Sequence, residues 1–110
     1  MFANTPETFT IFATSPGFDP LACEIVVCIP TFKRPEMLEA TLRSLAGQET
    51  GRRFAVIVIE NDGVGQQGAR HAASLMATGL VPGFVIVEPR QGNCKAYNAG
   101  WRCALTRMPD

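Results

Sequence analysis

The sequence predicts an α/β protein, a three-layer α/β/α arrangement around a parallel sheet. Three observations carry that expectation. Three short apolar runs rich in β-branched residues, "EIVVCIP", "FAVIVIE" and "PGFVIVEP", read as strands buried on both faces. A segment with helical spacing follows each of them. Each connection is long enough to return the chain to the same edge of a sheet, which makes the strands parallel and the crossovers right-handed. The order is β-α-β-α-β-α, half of a doubly wound sheet.

Residues 1–22 form a leader without a sustained period. Thr, Ser, Pro and Gly punctuate it, and Phe2, Phe9, Phe12 and Phe18 are isolated apolar residues in it. The expectation is an irregular leader or a short edge strand. The first buried strand runs from Glu24 to Pro30. Pro35 suits the first turn of the following helix, and Glu36 is favourable at the positive end of its dipole. Met37, Leu38, Thr41, Leu42 and Leu45 share one helical face, and Gly47 and Gly51 end the segment. The second strand is Phe54–Glu60. The helix after it, Gln66 to Gly79, carries small residues on its packing side. The third strand begins after Pro82 and stops at Pro89. The third helix spans Asn93 to Met108, with Asn93 as N-cap and Tyr97, Trp101, Leu105 and Met108 recurring as a core stripe. The chain stops at "TRMPD", where a fourth strand is expected, so one sheet edge lies open. Such an edge fits a truncated domain, or a half-domain that self-associates or pairs with a missing C-terminal half.

Composition narrows the function. Of 110 residues, ten are basic and ten acidic, so the formal net charge is zero. No basic run marks a nucleic-acid surface or a membrane-binding helix. Four cysteines without a C-x-x-C pair, and a single histidine, do not make a zinc site. A reduced, buried Cys28 suits a cytoplasmic setting. The first twenty residues lack a basic n-region, and no apolar run approaches the ~20 residues of a membrane span.

In an open α/β sheet, ligands bind beyond the carboxyl ends of the strands. The loops there are "PTFKRP", "ENDGVGQQG" and "PRQGN". The second contains Gly63, Gly65 and Gly68 at G-x-G-x-x-G spacing, with Glu88 at the end of the next strand, as a dinucleotide-binding module would. Two features count against that reading. Glu60, Asn61 and Asp62 separate the strand from the glycines, whereas the fingerprint turns directly off its strand. Two carboxylates also repel a pyrophosphate, by roughly 3–4 kcal/mol per charge pair at 4–6 Å and an effective dielectric near 20. A carboxylate at a strand end accepts hydrogen bonds only. It suits a ring N–H of uracil or guanine, or a ribose hydroxyl. Glu60 or Asp62 would then read a nucleoside, or else simply cap the following turn or helix.

Read together, "VVCIPTFKRPEMLEATLRSL", "VIVIENDG" and "GNCKAYNAG" resemble the N-terminal half of a family 2 glycosyltransferase with the GT-A fold. The resemblance covers about Ile25 to Ala104, and it makes 23–110 the nucleotide-binding part of such a domain. It implies a nucleotide-diphospho-sugar donor of the UDP or GDP type. Pro30, Thr31 and Phe32 would line the nucleoside pocket, with Arg34 close by. Lys33 and Arg34 would otherwise be solvated, or Arg34 would pair with a helix acid. Glu60, Asn61 and Asp62 flank the place where the family's acid recognises the base, and Glu60 stands for the commoner Asp. Lys95 sits where a basic residue faces base or ribose. Asn98 matches the helix-start signature along with Gly100, or else Asn98 braces the loop and Gly100 permits close packing. Gly92 and Asn93 shape the turn. The family's D-x-D motif and catalytic base lie on and beyond a fourth strand, and this sequence contains no D-x-D. No catalytic or metal-ligating residue is therefore assigned. Mg²⁺ or Mn²⁺ is expected for the full-length parent, where it would neutralise leaving-group charge.

Overall fold

A computed structural model of the chain describes residues 9–19, 25–47, 53–90 and 92–107, without the side chains of 93, 94, 97, 101 and 105–107. The elements are β1 (Thr10–Thr14), β2 (Ile25–Thr31), α1 (Pro35–Ala46), β3 (Phe54–Glu60), α2 (Gln67–Ala77), β4 (Gly83–Val87) and α3 (Asn93–Arg107). They build one four-stranded sheet in the order β1-β4-β3-β2. β2, β3 and β4 are parallel, with Ile25 opposite Phe54 and Val56 opposite Gly83.

The alternation of each strand sorts its residues to two cores. Val56, Val58, Val85 and Val87 face one side, where Leu38 and Leu42 of α1 and Ala69, Ala72, Leu75 and Met76 of α2 close over them. Ala55, Ile57, Ile59, Phe84 and Ile86 face the other, under Ala96, Ala99 and Cys103 of α3. Burying an Ile side chain such as Ile57 or Ile59 contributes roughly 1.5–3 kcal/mol. β3 is buried along nearly its whole length because it lies between β2 and β4 and is covered on both faces.

Two expectations change. The sheet is mixed, because Thr10–Thr14 of the leader lies antiparallel against β4. Of the two options for the leader, its described part, residues 9–19, holds the short edge strand. Phe9 is buried in the α3-side core, and Phe18 stands edge-on to Phe84, with ring centroids 5.1 Å apart. These apolar anchors hold β1 on the sheet, and a register shift between Ile11 and Ala13 kinks it. Among the described residues β2 has no neighbour on its outer side, so the open edge lies at β2.

The apolar face of α1 is also narrower than expected. Leu38 and Leu42 are buried, but Met37 and Thr41 are exposed, and Thr41 Oγ1 donates to the Met37 carbonyl at 3.0 Å. The cause is position. α1 covers the sheet near its open edge, so part of its stripe overhangs β2. Of the expected α3 core stripe, Tyr97, Trp101 and Leu105 have side chains outside the description, and Met108 lies beyond the described residues.

Between α1 and α2 stands a polar clasp. Glu39 accepts from Arg43 Nε at 2.7 Å and meets His71 Nε2 at 2.5 Å. Hydrogen bonding to Arg43 and then to His71 holds the Glu39 carboxyl below its ordinary value of 4.5. A carboxyl whose folded pKa is depressed contributes stability above its unfolded pKa and loses it as pH falls through the folded one. Glu39→Gln is therefore expected to lower the urea midpoint at neutral pH. The gap to the parent should close as pH drops below 4.5. A gap that persists unchanged to strongly acid pH would remove the clasp from the account.

Gly83 opens β4 under unusual constraint. Its N–H donates to Ser15 Oγ and its carbonyl accepts from Ser15 N–H, both at 3.0 Å. Its φ is +147°, and a Cβ there would lie 1.8 Å from the Val56 carbonyl oxygen.

Candidate functional site

Among the described residues, all the buried polar side chains except Ser15 gather at one end of the sheet. Thr31, Glu60, Asn61, Asp62 and Glu88 are all at most 8% exposed, and all follow or end a parallel strand on its carboxyl side. The ladder runs on past the strands there. Asn61 N–H donates to the Thr31 carbonyl at 2.9 Å, and Glu88 N–H donates to that of Glu60 at 2.8 Å.

Glu60 is fully buried, and both its oxygens are engaged. Oε1 accepts the Ala69 N–H at 2.8 Å, and Oε2 accepts the Asp62 N–H at 3.2 Å. Ala69 stands in the first turn of α2, where backbone donors lack helical partners. Gln66, which precedes the helix, makes no side-chain cap and has a left-handed φ of 55°. Glu60 thus caps α2 from the end of β3, and its charge faces the positive end of the dipole.

Asn61 binds two loops together. Its Nδ2 donates to the carbonyls of Glu88 at 2.7 Å and Arg90 at 2.9 Å, and its Oδ1 accepts the Gly92 N–H at 2.9 Å. Both amide protons are spent inside the protein. Asp62 behaves differently. Its Oδ1 accepts the N–H groups of Val64 at 3.3 Å and Gly65 at 3.1 Å, which makes an Asx turn. Its Oδ2 accepts none among the described residues.

The three glycines of the loop are spaced for this packing. A Cβ on Gly63 would meet Pro89 Cβ at 2.8 Å, one on Gly65 would meet Asp62 Oδ2 at 2.5 Å, and one on Gly68 would meet Thr31 Cγ2 at 2.9 Å. The room beside them belongs to the protein's own side chains, and the start of α2 already holds a carboxylate. Both features add to the case against a dinucleotide pyrophosphate at these glycines, in line with the acids that precede them.

The loop after β2 forms a cleft of about 480 Å³ beside α1, lined by Ile29, Pro30, Thr31, Phe32, Arg34, Met37, Leu38 and Thr41. Four expected site residues, Pro30, Thr31, Phe32 and Arg34, come together here. Phe32 is 40% exposed, and Lys33 Nζ lies 5.2 Å from its ring centroid, a cation–π distance. Arg34 Nη1 points to Met37 Sδ at 3.6 Å and not to a helix acid.

Lys95 and Asn98 are exposed on α3, which covers the opposite face from α1 and α2. Gly92, with φ +124°, takes the cap position expected of Asn93, because its carbonyl accepts the Ala96 N–H at 3.0 Å. Asn93 is the first helical residue, and its side chain lies outside the description. A Cβ on Gly100 would lie 3.1 Å from Ile59 Cδ1 and 3.2 Å from Cys28 Sγ, so this glycine lets α3 approach the sheet. Cys28 is a free, half-buried thiol whose pKa is raised by that burial.

One rim acid was named in the sequence only for the dinucleotide reading, and its basic partner not at all. Glu88, fully buried, holds the half-exposed Arg90 through Nη2–Oε1 at 3.1 Å. The only trace in the sequence is an acid and a base two apart across Pro89, which many solvated turns share.

Among the described residues no three His, Cys, Asp or Glu side chains group to hold a metal ion. The rim acids do not fit one either. Glu60 is spent on backbone donors, Glu88 is paired with Arg90, and Asp62 alone keeps an unused oxygen. Among the described residues no helix is long and apolar enough to cross a membrane.

A protein-family model described as "Glycosyl transferase family 2" matches residues 26–107, which hold the three parallel strands and the three helices but not β1. No curated protein and no solved structure matches the chain.

Proposed function

The chain belongs to glycosyl transferase family 2, and from that premise we propose that its sheet rim binds the nucleotide of a nucleotide-diphospho-sugar donor of the UDP or GDP type. The reaction served is transfer of a glycosyl group to an acceptor hydroxyl. The observation that carries this reading is Asp62 Oδ2, the carboxylate oxygen of the rim left unspent among the described residues, in a setting where Glu60 and Asn61 are consumed by the fold. Of the two acids that match the family's base-reading position, Asp62 is thus the one fitted to accept a ring N–H. Glu60 holds α2 in place behind it. The Pro30–Arg34 cleft offers Phe32 as a flat apolar surface for the nucleoside, with Arg34 at its margin.

The chemistry selects the test. Uracil N3 and guanine N1 carry a proton that a carboxylate can accept, and cytosine N3 does not. Thermal shifts with UDP, GDP, CDP and NAD should show UDP or GDP stabilising the chain most. Ligand at a hundred times its Kd stabilises by about 2.7 kcal/mol. A preference for NAD would defeat the proposal. Asp62→Asn preserves the Oδ1 turn but replaces the open oxygen with a donor. It is expected to erase the preference over CDP, by about tenfold, since hydrogen bonds to charged groups contribute roughly 1.5–3 kcal/mol. Base preference that survives Asp62→Asn would take the acid out of recognition.

A further inference from the structure

Glu88 ends the third parallel strand with its carboxylate out of water. Burying a carboxylate is costly unless it is paired and hydrogen-bonded. Here Arg90 supplies the pairing, with Nη2 on Oε1 at 3.1 Å, Nε toward Oε2 at 3.4 Å and its own backbone N–H on Oε2 at 2.9 Å. The two-point contact sets the plane of the guanidinium. Yet the Arg90 side chain remains 46% exposed while Glu88 is 0% exposed. This differs from two solvated side chains sharing a surface. A fully buried anion holds a half-exposed cation in a fixed orientation.

The cation belongs to the rim already described. The Arg90 carbonyl accepts from Asn61 Nδ2 at 2.9 Å, and Asn61 directly precedes Asp62. A Cβ on Gly63 would meet Pro89, so the loops of Asp62 and Arg90 pack against each other. A guanidinium is a planar fork suited to phosphate oxygens, and its Nε–Nη2 edge is the one Glu88 engages. A diphosphate bound beside the acid Asp62 needs a cation of this kind.

We propose that Arg90, oriented by buried Glu88, is a phosphate contact of the donor site, taking an oxygen of a nucleoside diphosphate while Asp62 faces its base. This rests on the donor reading above. The test separates the two. The full 110-residue chain is titrated with inorganic pyrophosphate, UDP, GDP and uridine, followed by ¹⁵N NMR including the Arg90 Nε–H resonance. The expected result is that pyrophosphate, UDP and GDP move that resonance and uridine does not. The double variant Glu88→Gln with Arg90→Gln removes both charges and leaves no unpaired buried carboxylate. It is expected to bind pyrophosphate and both diphosphates about tenfold more weakly, the scale of a charge-assisted hydrogen bond, with uridine unchanged. Arg90→Lys keeps a charge beside Glu88 without the fork, and severalfold weaker pyrophosphate binding is expected of it with the fold intact. Wild-type pyrophosphate affinity in either folded variant overturns the proposal, as does UDP or GDP binding that leaves the Nε–H unmoved. That second result leaves the donor reading standing. Pyrophosphate binding through Arg90 with no gain from an attached base supports the phosphate contact and overturns the donor reading. No binding of any phosphate ligand overturns both.

Discussion

Gly83→Ala is expected to remove at least about 4 kcal/mol of stability, in the range that single substitutions reach only through a severe steric or electrostatic fault. Its Cβ would stand 1.8 Å from the Val56 carbonyl oxygen and 2.7 Å from the carbonyl carbon, both backbone atoms of the central strand. A flexible side chain could swing away, but β3 cannot, because it is hydrogen-bonded to β2 and β4. The φ of +147° adds strain that only glycine escapes. Ser15 clamps Gly83 from the other side, so the residue cannot rotate out without releasing β1. Since domains hold roughly 5–15 kcal/mol in total, the variant should be largely unfolded in dilute buffer. Gly79→Ala is the control. Its φ is +85°, but nothing lies within 4 Å of the added carbon, so it carries backbone strain alone, about 1–3 kcal/mol. Urea titrations followed by circular dichroism give both values. Equal losses in the two variants would show that close approach to Val56 does not govern this position.

Glu60→Ala is expected to cost about 3 kcal/mol, from a lost helix cap and two buried N–H groups without acceptors. The two donors are Ala69 and Asp62, and the loss should be felt most at the start of α2. Hydrogen exchange in the first turn of α2 is the local readout, and a denaturant midpoint is the global one. Glu60→Gln should cost less, because its carbonyl oxygen can still serve Ala69 while its amide faces the Asp62 N–H as a second donor. A role for Glu60 in reading the base directly predicts the opposite pattern. Stability would then hardly change, and UDP or GDP binding would fall. A Glu60→Ala protein with parent stability and lost nucleotide preference would reverse the roles of Glu60 and Asp62 described above.

Much of the fold was legible. The runs at Val56–Ile59 and Val85–Val87 are apolar at every position, which only a strand covered on both faces tolerates, and they proved to be the buried centre. Pro35 and Gly47 marked the ends of α1 within a residue, because ring geometry and chain flexibility act locally. β1 was harder to see. "TIFAT" has no long period, and its strand state comes from pairing with residues some seventy positions away. Long-range pairing leaves no local imprint.

At the rim, residue type was readable but allegiance was not. A carboxylate such as Glu60 serves a ring N–H or a helix N–H equally well, and the choice depends on Ala69, nine residues on, arriving 2.8 Å away. Asn61 looked like a ligand contact, yet its amide found the 88–92 loop instead. The glycines fitted a dinucleotide fingerprint because close backbone approach demands glycine whatever the approaching group is. Pro30, Thr31, Phe32 and Arg34 line one cleft because four positions within a five-residue stretch cannot disperse far.

The antiparallel placement of β1 has a consequence during synthesis. Ser15 and Gly83, which bond each other where β1 meets β4, are 68 residues apart. At roughly 5–20 residues per second, a ribosome needs about 3–14 s to deliver the second after the first. Throughout that interval the half-apolar segment holding Ile11 and Phe12 has emerged with no sheet to join. β1 therefore cannot dock until β4 has been made, and that wait is when a chaperone would find it.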